Sequence, residues 1–456
     1  MNPKKNSTRR QFLQTTTAAA GATWLAGCAT PPAARKGAAS PNGKLNIAAI
    51  GVGGKGAGDI AQTSAGQNVV AICDVDDRTL NIAAKKYTKA AKYHDWRRML
   101  ERNDIDAVTV STPDHMHCPI AMAAIQLGKH VYVQKPMSHT IQEARVVAAA
   151  AKKAGVVTQM GNQNHSGAGY KTLVQAVRSG VIGKVKEAHA WSNRPVWPQG
   201  IERPQGSDPV PDHLWWDLWL GVAPYRYFVG PQQGAKRGRG PYHSFNWRGF
   251  LDFGVGALGD MGCHIIDPVV WGLQLGAPTR VWSSGPATNG ETFPNWETIH
   301  YEFPGTAYCA EDTIRMTWHD GGKKPSANLV QGAADKDIPA NGVLFVGERG
   351  ALLCPHKKMP QLWPRKDFAN TKLLEVPGDN HYQQWTMACK GEGTTVSNFD
   401  YSGPMTETVL LGTIAVRYPN QKLEWDSEGM KFTNSDEANK FVKKSYRPGW
   451  QVVGLG

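Results

Sequence analysis

One stretch of the chain reads Lys44-Leu-Asn-Ile-Ala-Ala-Ile50-Gly51-Val-Gly53-Gly54-Lys-Gly56, in which an apolar run leads directly into a G-x-G-x-x-G pattern. The run is typical of a buried parallel strand, and the residues after the glycines, to about Ser64, have the pattern of a helix. In such a turn Gly51 permits the tight bend, Gly53 lets the backbone approach a phosphate, and Gly56 lets the helix pack on the strand. The stretch therefore predicts a strand, a phosphate-binding loop and a helix, in that order.

A second strand supports this interpretation. It reads Val69-Val-Ala-Ile-Cys73 and ends on Asp74, which follows the last glycine by about 20 residues, the usual spacing. A carboxylate at that place accepts hydrogen bonds from the ribose hydroxyls and repels a 2′-phosphate. The pattern therefore predicts a dinucleotide site that prefers NAD, although Arg78 nearby leaves some room for NADP. Gly54 is expected to contact the cofactor together with Gly51, Gly53 and Gly56.

Strands and helices continue to alternate up to residue 161. Apolar runs at 105–110, 130–133 and 156–160 have the pattern of strands, and helical segments at 119–127 and 141–154 lie between them. This order predicts a doubly wound Rossmann domain over residues 44–161, in which ligands bind beyond the carboxyl ends of the strands. Further cofactor contacts are expected there, at Thr112, His117, Lys135, Pro136, Asn162 and Gln163.

The pattern changes after residue 161. Segments at 185–192, 297–303 and 313–318 have polar faces, as strands of antiparallel sheets do. We therefore expect a second, α+β domain over residues 162–456, with a mainly antiparallel open sheet. Within this domain, residues 195–250 form an insertion that is rich in Pro, Gly and Trp and lacks clear periodicity.

A second group of chemically capable residues lies between Gly254 and Asp267. Asp260 and His264 stand four positions apart, so on a helix they share one face. An acid placed before a histidine in this way can fix the ring tautomer and raise its basicity, as a general base requires. The same residues are equally consistent with a buried Asp–His pair that holds two helices together.

The first 43 residues have the pattern of an export signal followed by a tether. Arg9 and Arg10 form a twin-arginine pattern, and the stretch after them closes on Leu25-Ala-Gly-Cys28, which resembles the lipobox of bacterial lipoproteins. We expect residues 1–28 to be the signal, 29–43 to be a flexible linker, and Cys28 to carry the lipid that attaches the protein to the periplasmic face of the envelope. The alternative is a plain cleaved signal with an accidental cysteine. Because the twin-arginine route carries folded proteins, it favours a cofactor loaded before export.

The composition excludes several classes of protein. With 41% hydrophobic and 20% charged residues the chain can bury large cores, so it is not a disordered protein. The formal charge of +13 arises from scattered Lys and Arg, which does not indicate a nucleic-acid footprint. The sequence has no long charge-free apolar run, so the only membrane contact expected is the lipid anchor. Seven cysteines without a C-x-x-C pair support neither a disulfide scaffold nor a metal cluster.

Four motifs in order resemble one family, the Gfo/Idh/MocA oxidoreductases (glucose–fructose oxidoreductase, inositol dehydrogenase and rhizopine catabolism proteins). They are Gly51-x-Gly53-x-x-Gly56, Thr112-Pro-Asp-His-x-His117, Gly128-Lys-His-Val-Tyr-Val-Gln-Lys135-Pro136 and Gly259-Asp260-x-Gly-x-His264-x-x-Asp267. The resemblance covers about residues 44–420. It implies an NAD(P)-dependent enzyme that oxidises or reduces a hydroxyl or ketone of a sugar, glycoside or cyclitol. It also implies a homo-oligomer, since the second-domain sheet of this family often forms the subunit interface.

The resemblance also implies roles for individual residues. Lys135 matches the catalytic lysine beside substrate and nicotinamide, and Asp260 and His264 match the substrate-side acid/base pair. One position departs from the family, which usually has Glu before the lysine where this chain has Gln134. Without that carboxylate, a charge that could keep Lys135 protonated is absent. Trp191 and Arg194, in and just after a predicted strand, are expected to line the sugar pocket with these residues.

Two other functions stay open. A related group of NAD-dependent glycosidases breaks the glycosidic bond through transient oxidation of the sugar. Those enzymes differ around the second-domain histidine, whereas this chain keeps the dehydrogenase-like Gly-Asp-x-Gly-x-His, so the glycosidase is the alternative rather than the main prediction. A glycan-binding protein without catalysis is the third interpretation, and the presence of Lys135, Asp260 and His264 argues against it.

Overall fold

The structure is a computed structural model that describes residues 43–235 and 238–455. The predicted signal, the lipidation site Cys28 and nearly all of the predicted linker lie outside these residues. Within the described ranges, no helix is long and apolar enough to cross a bilayer. The same ranges contain no group of three or more His, Cys, Asp or Glu side chains placed to hold a metal ion.

The first sheet of the described chain has six strands, all parallel, in the order β3-β2-β1-β4-β5-β6. This is the strand order of the Rossmann fold, and it confirms the predicted doubly wound domain. The apolar runs found in the sequence form its centre, where β1, β4 and β5 are almost completely buried. The strands are β1 Asn46–Ile50, β2 Asn68–Cys73, β3 Ala91–Tyr93, β4 Ala107–Val110, β5 His130–Val133 and β6 Thr158–Met160.

Helices connect these strands and begin and end at identifiable residues. Thr140 and Glu143 form a reciprocal capping box at the start of the fifth helix, and Gly155 ends it in the left-handed conformation. Asp76 caps the second helix through the amide of Arg78. The helices are α1 Gly54–Thr63, α2 Asp77–Lys86, α3 Trp96–Leu100, α4 His117–Gln126 and α5 Ile141–Ala154.

The second sheet, counted over the described residues, has nine strands in the order β13-β12-β11-β7-β10-β9-β8-β14-β15. All its pairs are antiparallel except β7 with β10, so the predicted mainly antiparallel sheet is confirmed. Its strands are β7 Val185–Trp191, β8 Arg280–Ser284, β9 Thr298–Pro304, β10 Thr313–His319, β11 Gly342–Gly347, β12 Ala351–Pro355, β13 Gln361–Trp363, β14 Leu423–Asp426 and β15 Lys431–Phe432. Its helices are α6 Ala168–Arg178, α7 Trp216–Leu220, α8 Gly256–Ile265, α9 Asp267–Leu273, α10 His381–Cys389, α11 Phe399–Ala415 and α12 Asp436–Asn439.

The chain after residue 162 also completes the first domain. Helix α11 packs against α5, and α10 packs on α1. Trp385 and Cys389 of α10 share a buried cluster with Leu45, Ile47 and Tyr132 of the first sheet. The two predicted domains therefore share a core on this side, because late helices cover a face that the local sequence leaves apolar.

The insertion at 195–250 folds around an aromatic cluster and reaches the first domain. Trp216, Trp219 and Phe250 are buried together, and Trp216 and Trp219 stack with ring centroids 4.7 Å apart. Beside this cluster, Leu214 pairs with Asp76 at the start of α2. The insertion thus brings aromatic and charged side chains to the carboxyl end of the parallel sheet.

Candidate active site

A large cleft is lined by residues of both domains and has a volume of about 950 Å³. Along the carboxyl edge of the first sheet, its lining runs from Asp74 after β2, through the glycine loop after β1, to Lys135 after β5. His264 of α8 also lines it. Because the carboxyl ends of β1, β4 and β5 open into it, the cleft lies where doubly wound sheets bind their ligands.

The glycine loop has the shape that the sequence predicts, with one addition. Gly51 adopts a φ of +76°, and a Cβ there would lie 2.6 Å from the carbonyl oxygen of Ser111. A Cβ on Gly53 would lie 2.6 Å from the methyl group of Thr79, so this glycine is also needed for the approach of α2. No side chain in the described structure caps the start of α1, which leaves its first-turn N–H groups free to bind a diphosphate.

Polar groups along the cleft fit a dinucleotide. Asp74 lies at the end of β2, where its carboxylate accepts hydrogen bonds from the amides of Val52 at 2.9 Å and Asp76 at 3.0 Å. The hydroxyl of Thr112 is buried at the cleft wall and has no hydrogen-bond partner among the described residues. A buried polar atom of this kind is satisfied when a ligand with ribose and amide groups lies beside it. The donor set, the glycine cradle and the orphaned hydroxyl therefore all fit NAD.

Of four other residues predicted to contact the cofactor, two line the cleft and two do not. Gln163 lines the cleft and donates to the hydroxyl of Tyr132 at 2.9 Å. Asn162 is fully buried with an amide that has no partner in the described chain, but it does not line the cleft. Pro136 lies behind the wall and accepts a hydrogen bond through its carbonyl oxygen. His117 lines the cleft, but both of its ring nitrogens face backbone carbonyl oxygens.

His117 braces two loops instead of presenting a ring nitrogen to a ligand. Its Nδ1 lies 2.7 Å from the carbonyl oxygen of Pro136 and its Nε2 lies 2.8 Å from that of Thr112. Burial lowers the pKa of His117 to about 4, so the ring is neutral and donates one of these two bonds. Because both nitrogens face backbone carbonyl oxygens, any contact of His117 with the cofactor would involve the ring itself, and that contact stays a prediction.

Lys135 and Asp260 meet at the far end of the cleft. The ammonium of Lys135 donates to the Asp260 carboxylate at 2.8 Å and to its backbone carbonyl oxygen at 2.6 Å. Arg248 lies 3.5 Å and Arg194 lies 3.9 Å from the same carboxylate. Burial acts to raise the pKa of Asp260, but Lys135 and Arg248 outweigh it and hold this pKa well below its usual range. Asp260 is therefore an anion that fixes the position of Lys135.

His264 lines the same end of the cleft as a neutral ring. Burial, reinforced by the charge of Lys135, holds the pKa of His264 well below its usual range. Its Nδ1 is buried and has no partner among the described residues, and no hydrogen bond joins it to Asp260. The prediction that Asp260 orients His264 is thus wrong, because the carboxylate is turned toward Lys135. The alternative, that Asp260 and His264 form a buried pair between helices, is wrong for the same reason. A different Asp–His pair is present nearby, where Asp267 contacts His165 Nδ1 at 3.0 Å.

Two models of one protein family match this chain. The family model described as an oxidoreductase family with an NAD-binding Rossmann fold, GFO_IDH_MocA, matches residues 45–162. The model of the C-terminal alpha/beta domain of the same family matches residues 170–336, so together the two cover most of the described chain. The chain belongs to the Gfo/Idh/MocA oxidoreductase family.

Individual Gfo/Idh/MocA relatives differ in what they do. Glycosyl hydrolase family 109 protein 2 of Shewanella sp. (strain ANA-3) is 37% identical over 158 residues, which cover 30% of this chain and 35% of that protein. Inositol 2-dehydrogenase of Salmonella typhimurium is 30% identical over 149 residues, which cover 32% of this chain and 44% of that protein. The chain thus matches less than half the length of either relative.

Solved structures share the fold over most of the chain. The WlbA dehydrogenase of Bordetella pertussis, in complex with NADH and UDP-GlcNAcA, has a TM-score of 0.58 and 16% identity, and the match covers 84% of this chain and 99% of that one. The aldose-aldose oxidoreductase of Caulobacter crescentus has a TM-score of 0.52 and 16% identity, covering 84% and 100%. At this identity the likeness concerns the fold.

The position where this Gfo/Idh/MocA chain departs from the usual Glu has its own carboxylate nearby. Gln134 is buried, and its amide donates to Asp59 Oδ2 at 2.9 Å. Asp59 also pairs with Lys55 of the glycine loop and accepts from the hydroxyl of Ser111 at 2.8 Å. Lys135 does not need a charge at position 134, because Asp260 supplies its counter-ion.

This arrangement predicts that the family's usual residue is unfavourable here. Gln134→Glu would place two carboxylates together in a buried site, and we expect it to lower the free energy of unfolding by about 3 kcal/mol. Denaturant unfolding measures the change. Adding Asp59→Asn restores a donor facing an acceptor and is expected to recover part of the loss. Unchanged stability of the single variant would show that the Gln134–Asp59 contact is unimportant.

Of the two residues predicted to line the sugar pocket, one lines the cleft and the other does not. Arg194 lines the cleft, as expected. Trp191 does not, and that prediction is wrong: its side chain is 0% exposed, and its indole N–H donates to the carbonyl oxygen of Pro339 at 2.7 Å. It packs with Val330 and Ile338 on the opposite face of β7, because side chains alternate along a strand and the 320–340 segment covers that face.

Several cleft residues escaped sequence reasoning. Asp114, buried beside Lys135, lies within a quoted motif and could have been noticed there; burial raises its pKa to about 7. The others come from distant loops and carry no local signal that would single them out. Among them are Arg248, Asn341, His356 and Lys357.

Proposed function

We propose that this protein is an NAD-dependent oxidoreductase that interconverts a hydroxyl and a ketone on a sugar, glycoside or cyclitol. The observation that carries the proposal is the Lys135–Asp260 pair, which faces the same cleft as a glycine loop suited to a dinucleotide and lies beside the neutral ring of His264. Membership of the Gfo/Idh/MocA family supports the reaction class.

The described residues can manage the proton and the charge of this reaction. A nicotinamide bound in the cleft supplies the hydride acceptor or donor. His264, neutral and with an unpartnered Nδ1, can accept the proton of the substrate hydroxyl. The ammonium of Lys135 can stabilise the alkoxide that develops, and Asp260 holds that ammonium in place.

The second domain contacts the cofactor site at two places, beside Asp74 and at the glycine loop, which favours a cofactor that stays bound. At the ribose end, Trp215 donates its amide to the carbonyl oxygen of Val75 at 2.9 Å, and His243 Nε2 lies 3.0 Å from Asp76 Oδ2. At the glycine loop, the Lys55 ammonium donates to the Tyr382 hydroxyl at 2.8 Å. Release of a dinucleotide would require these contacts to open.

We therefore expect NAD to copurify in near-stoichiometric amount, with NADP a minor species because Asp74 disfavours a 2′-phosphate. Mass spectrometry of the denatured, purified protein measures the nucleotide, and a screen of sugars and cyclitols then identifies what reduces it. Folded protein without nucleotide, and without a rise in Tm on adding NAD, would contradict the prediction.

A glycosidase that works through transient oxidation is the second candidate, favoured by the 37% identity to a glycosyl hydrolase family 109 protein. The two functions differ in their products. A dehydrogenase yields a keto-sugar and one reduced cofactor per turnover, whereas the glycosidase releases nitrophenol from a nitrophenyl glycoside without net NADH. Net hydrolysis with recycled NAD would replace the first proposal by the second.

We also propose that the protein is exported by the twin-arginine route, is anchored in the envelope through a lipid on Cys28, and forms a homo-oligomer. The sequence pattern before residue 43 supports the first two, and the family resemblance supports the third. Cys28→Ala is expected to give soluble exported protein, and Arg9→Lys with Arg10→Lys to leave precursor in the cytoplasm. A wild-type protein that fractionates as soluble would contradict the anchor, and light scattering measures the oligomer.

A further inference from the structure

Positive charge crowds the end of the cleft where the reaction is proposed to occur. Lys135, Arg248 and Arg194 lie 2.8, 3.5 and 3.9 Å from a single carboxylate, that of Asp260. The two guanidinium groups have their remaining hydrogen bonds to uncharged acceptors, Arg248 to the carbonyl oxygen of Phe245 and Arg194 to the amide oxygen of Asn193. One anion therefore faces three cations.

A fourth cation, Lys357, lines the same cleft. Lys357 follows β12 in a turn with a φ of +66° and lines the cleft beside His356. After burial, its charge is the next cause that lowers the pKa of His356, to about 4, so that ring adds no positive charge of its own. Lys357 is exposed, and its ammonium has no hydrogen-bond or ion-pair partner among the described residues.

The other acids of the cleft do not balance this charge. Burial raises the pKa of Asp114 to about 7, so it contributes only part of a charge at neutral pH. Asp74 belongs to the other end, where it binds the amides of Val52 and Asp76. The cofactor diphosphate has other partners available, because the glycine loop and the start of α1, which has no side-chain cap, present backbone N–H groups to it.

We propose that the substrate is an acidic sugar, one whose carboxylate or sulfate is bound by Arg194, Arg248 and Lys357 while its reacting carbon faces Lys135 and His264. Guanidinium groups bind such planar or tetrahedral oxyanions through paired hydrogen bonds. This inference rests on the proposed oxidoreductase function and narrows its substrate class. A neighbouring cavity of about 360 Å³ shares Asn164 and Lys357 with the cleft, which leaves room for a substituent beyond the acidic group.

The test compares matched sugars on the purified holoprotein. D-glucuronate and D-galacturonate, together with D-glucose 6-sulfate, are set against D-glucose and D-galactose, each also as its methyl glycoside. Reduction of the bound nicotinamide is followed by absorbance, and binding is followed separately by tryptophan fluorescence, since Trp247 lines the cleft. We expect the acidic member of a pair to have a kcat/KM higher by about 10- to 100-fold. Because the uronates and the sulfate are assayed separately, the experiment also shows which acidic group the site prefers.

Lys357→Ala is expected to reduce this preference by about tenfold, through the acidic sugar more than the neutral one. Lys366→Ala removes an exposed lysine that does not line the cleft and serves as the matched control. Neutral sugars that react as well as acidic ones, or a preference unchanged by Lys357→Ala, would overturn the inference and leave the oxidoreductase standing. Tighter binding of the acids without any turnover would support the inference and contradict the oxidoreductase.

Discussion

Lys135→Ala is expected to lower kcat for sugar oxidation by about 10²- to 10⁴-fold, the span associated with loss of a group that moves or stabilises a proton. The variant removes the ammonium that meets the developing alkoxide and leaves Asp260 facing Arg248 and Arg194 alone. His264→Ala should cost a similar factor, because the ring with the free Nδ1 is then missing. Single-turnover reduction of the copurified cofactor measures both.

The bound cofactor provides the internal control for this prediction. Lys135 follows β5, whereas the glycine loop and Asp74 follow β1 and β2, with β4 between them. NAD content should therefore stay at the wild-type level in both variants, because the loop and Asp74 are intact. Lys152→Ala, on the exposed side of α5, should change neither property. Full oxidation activity in the combined Lys135→Ala and His264→Ala protein would contradict the proposed roles.

Gly56→Ala and Gly58→Ala are expected to change stability in opposite directions, although both lie in α1. A Cβ on Gly56 would stand 1.9 Å from the carbonyl oxygen of Gly51, and neither backbone segment can move because the turn fixes both. We expect a loss of about 3 kcal/mol in the free energy of unfolding, the upper part of the range for overpacking, together with loss of NAD. At Gly58 nothing lies within 4 Å of the added Cβ.

For Gly58→Ala we therefore expect a gain of about 0.5–1 kcal/mol, the helix-propensity difference between the two residues. Denaturant unfolding of the two purified variants, with nucleotide content measured on the same samples, compares them directly. Equal effects at the two positions would show that helix propensity, and not the contact with Gly51, governs this loop.

The parts of the fold that were predictable depend on short stretches of chain. The strand, glycine loop and helix at residues 44–63 follow from apolar periodicity and from backbone angles that glycine adopts readily. The same holds for five of the six parallel strands, whose apolar runs are typical of sheets buried on both faces. The edge strand β3, Ala91–Tyr93, has no apolar run and was not predicted. The convergence of Lys135, Asp260 and His264 could be predicted because four spaced motifs together resemble one family.

The pairing of those residues could not be predicted in the same way. Asp260 and His264 lie one helical turn apart, yet the Asp260 carboxylate turns to Lys135, a residue 125 positions away in the chain. Trp191 was placed in the sugar pocket, but which face of its strand meets the cleft depends on the 320–340 segment that covers the other face. At position 134 the sequence shows only that the family's usual carboxylate is missing. The tertiary structure shows that the Gln134 amide donates to Asp59.

The sequence by itself determined the Rossmann unit, the NAD preference expected from Asp74 and the identity of the reactive side chains, because these depend on local periodicity, turn geometry and residue chemistry. Only the tertiary structure decided which groups share a counter-ion, that Lys55 and Tyr382 meet across 327 residues, and that three cations lie within 4 Å of the Asp260 carboxylate. The physical reason is that Coulomb and hydrogen-bond energies depend on distances of a few ångströms, and those distances are set by packing between segments remote in the chain.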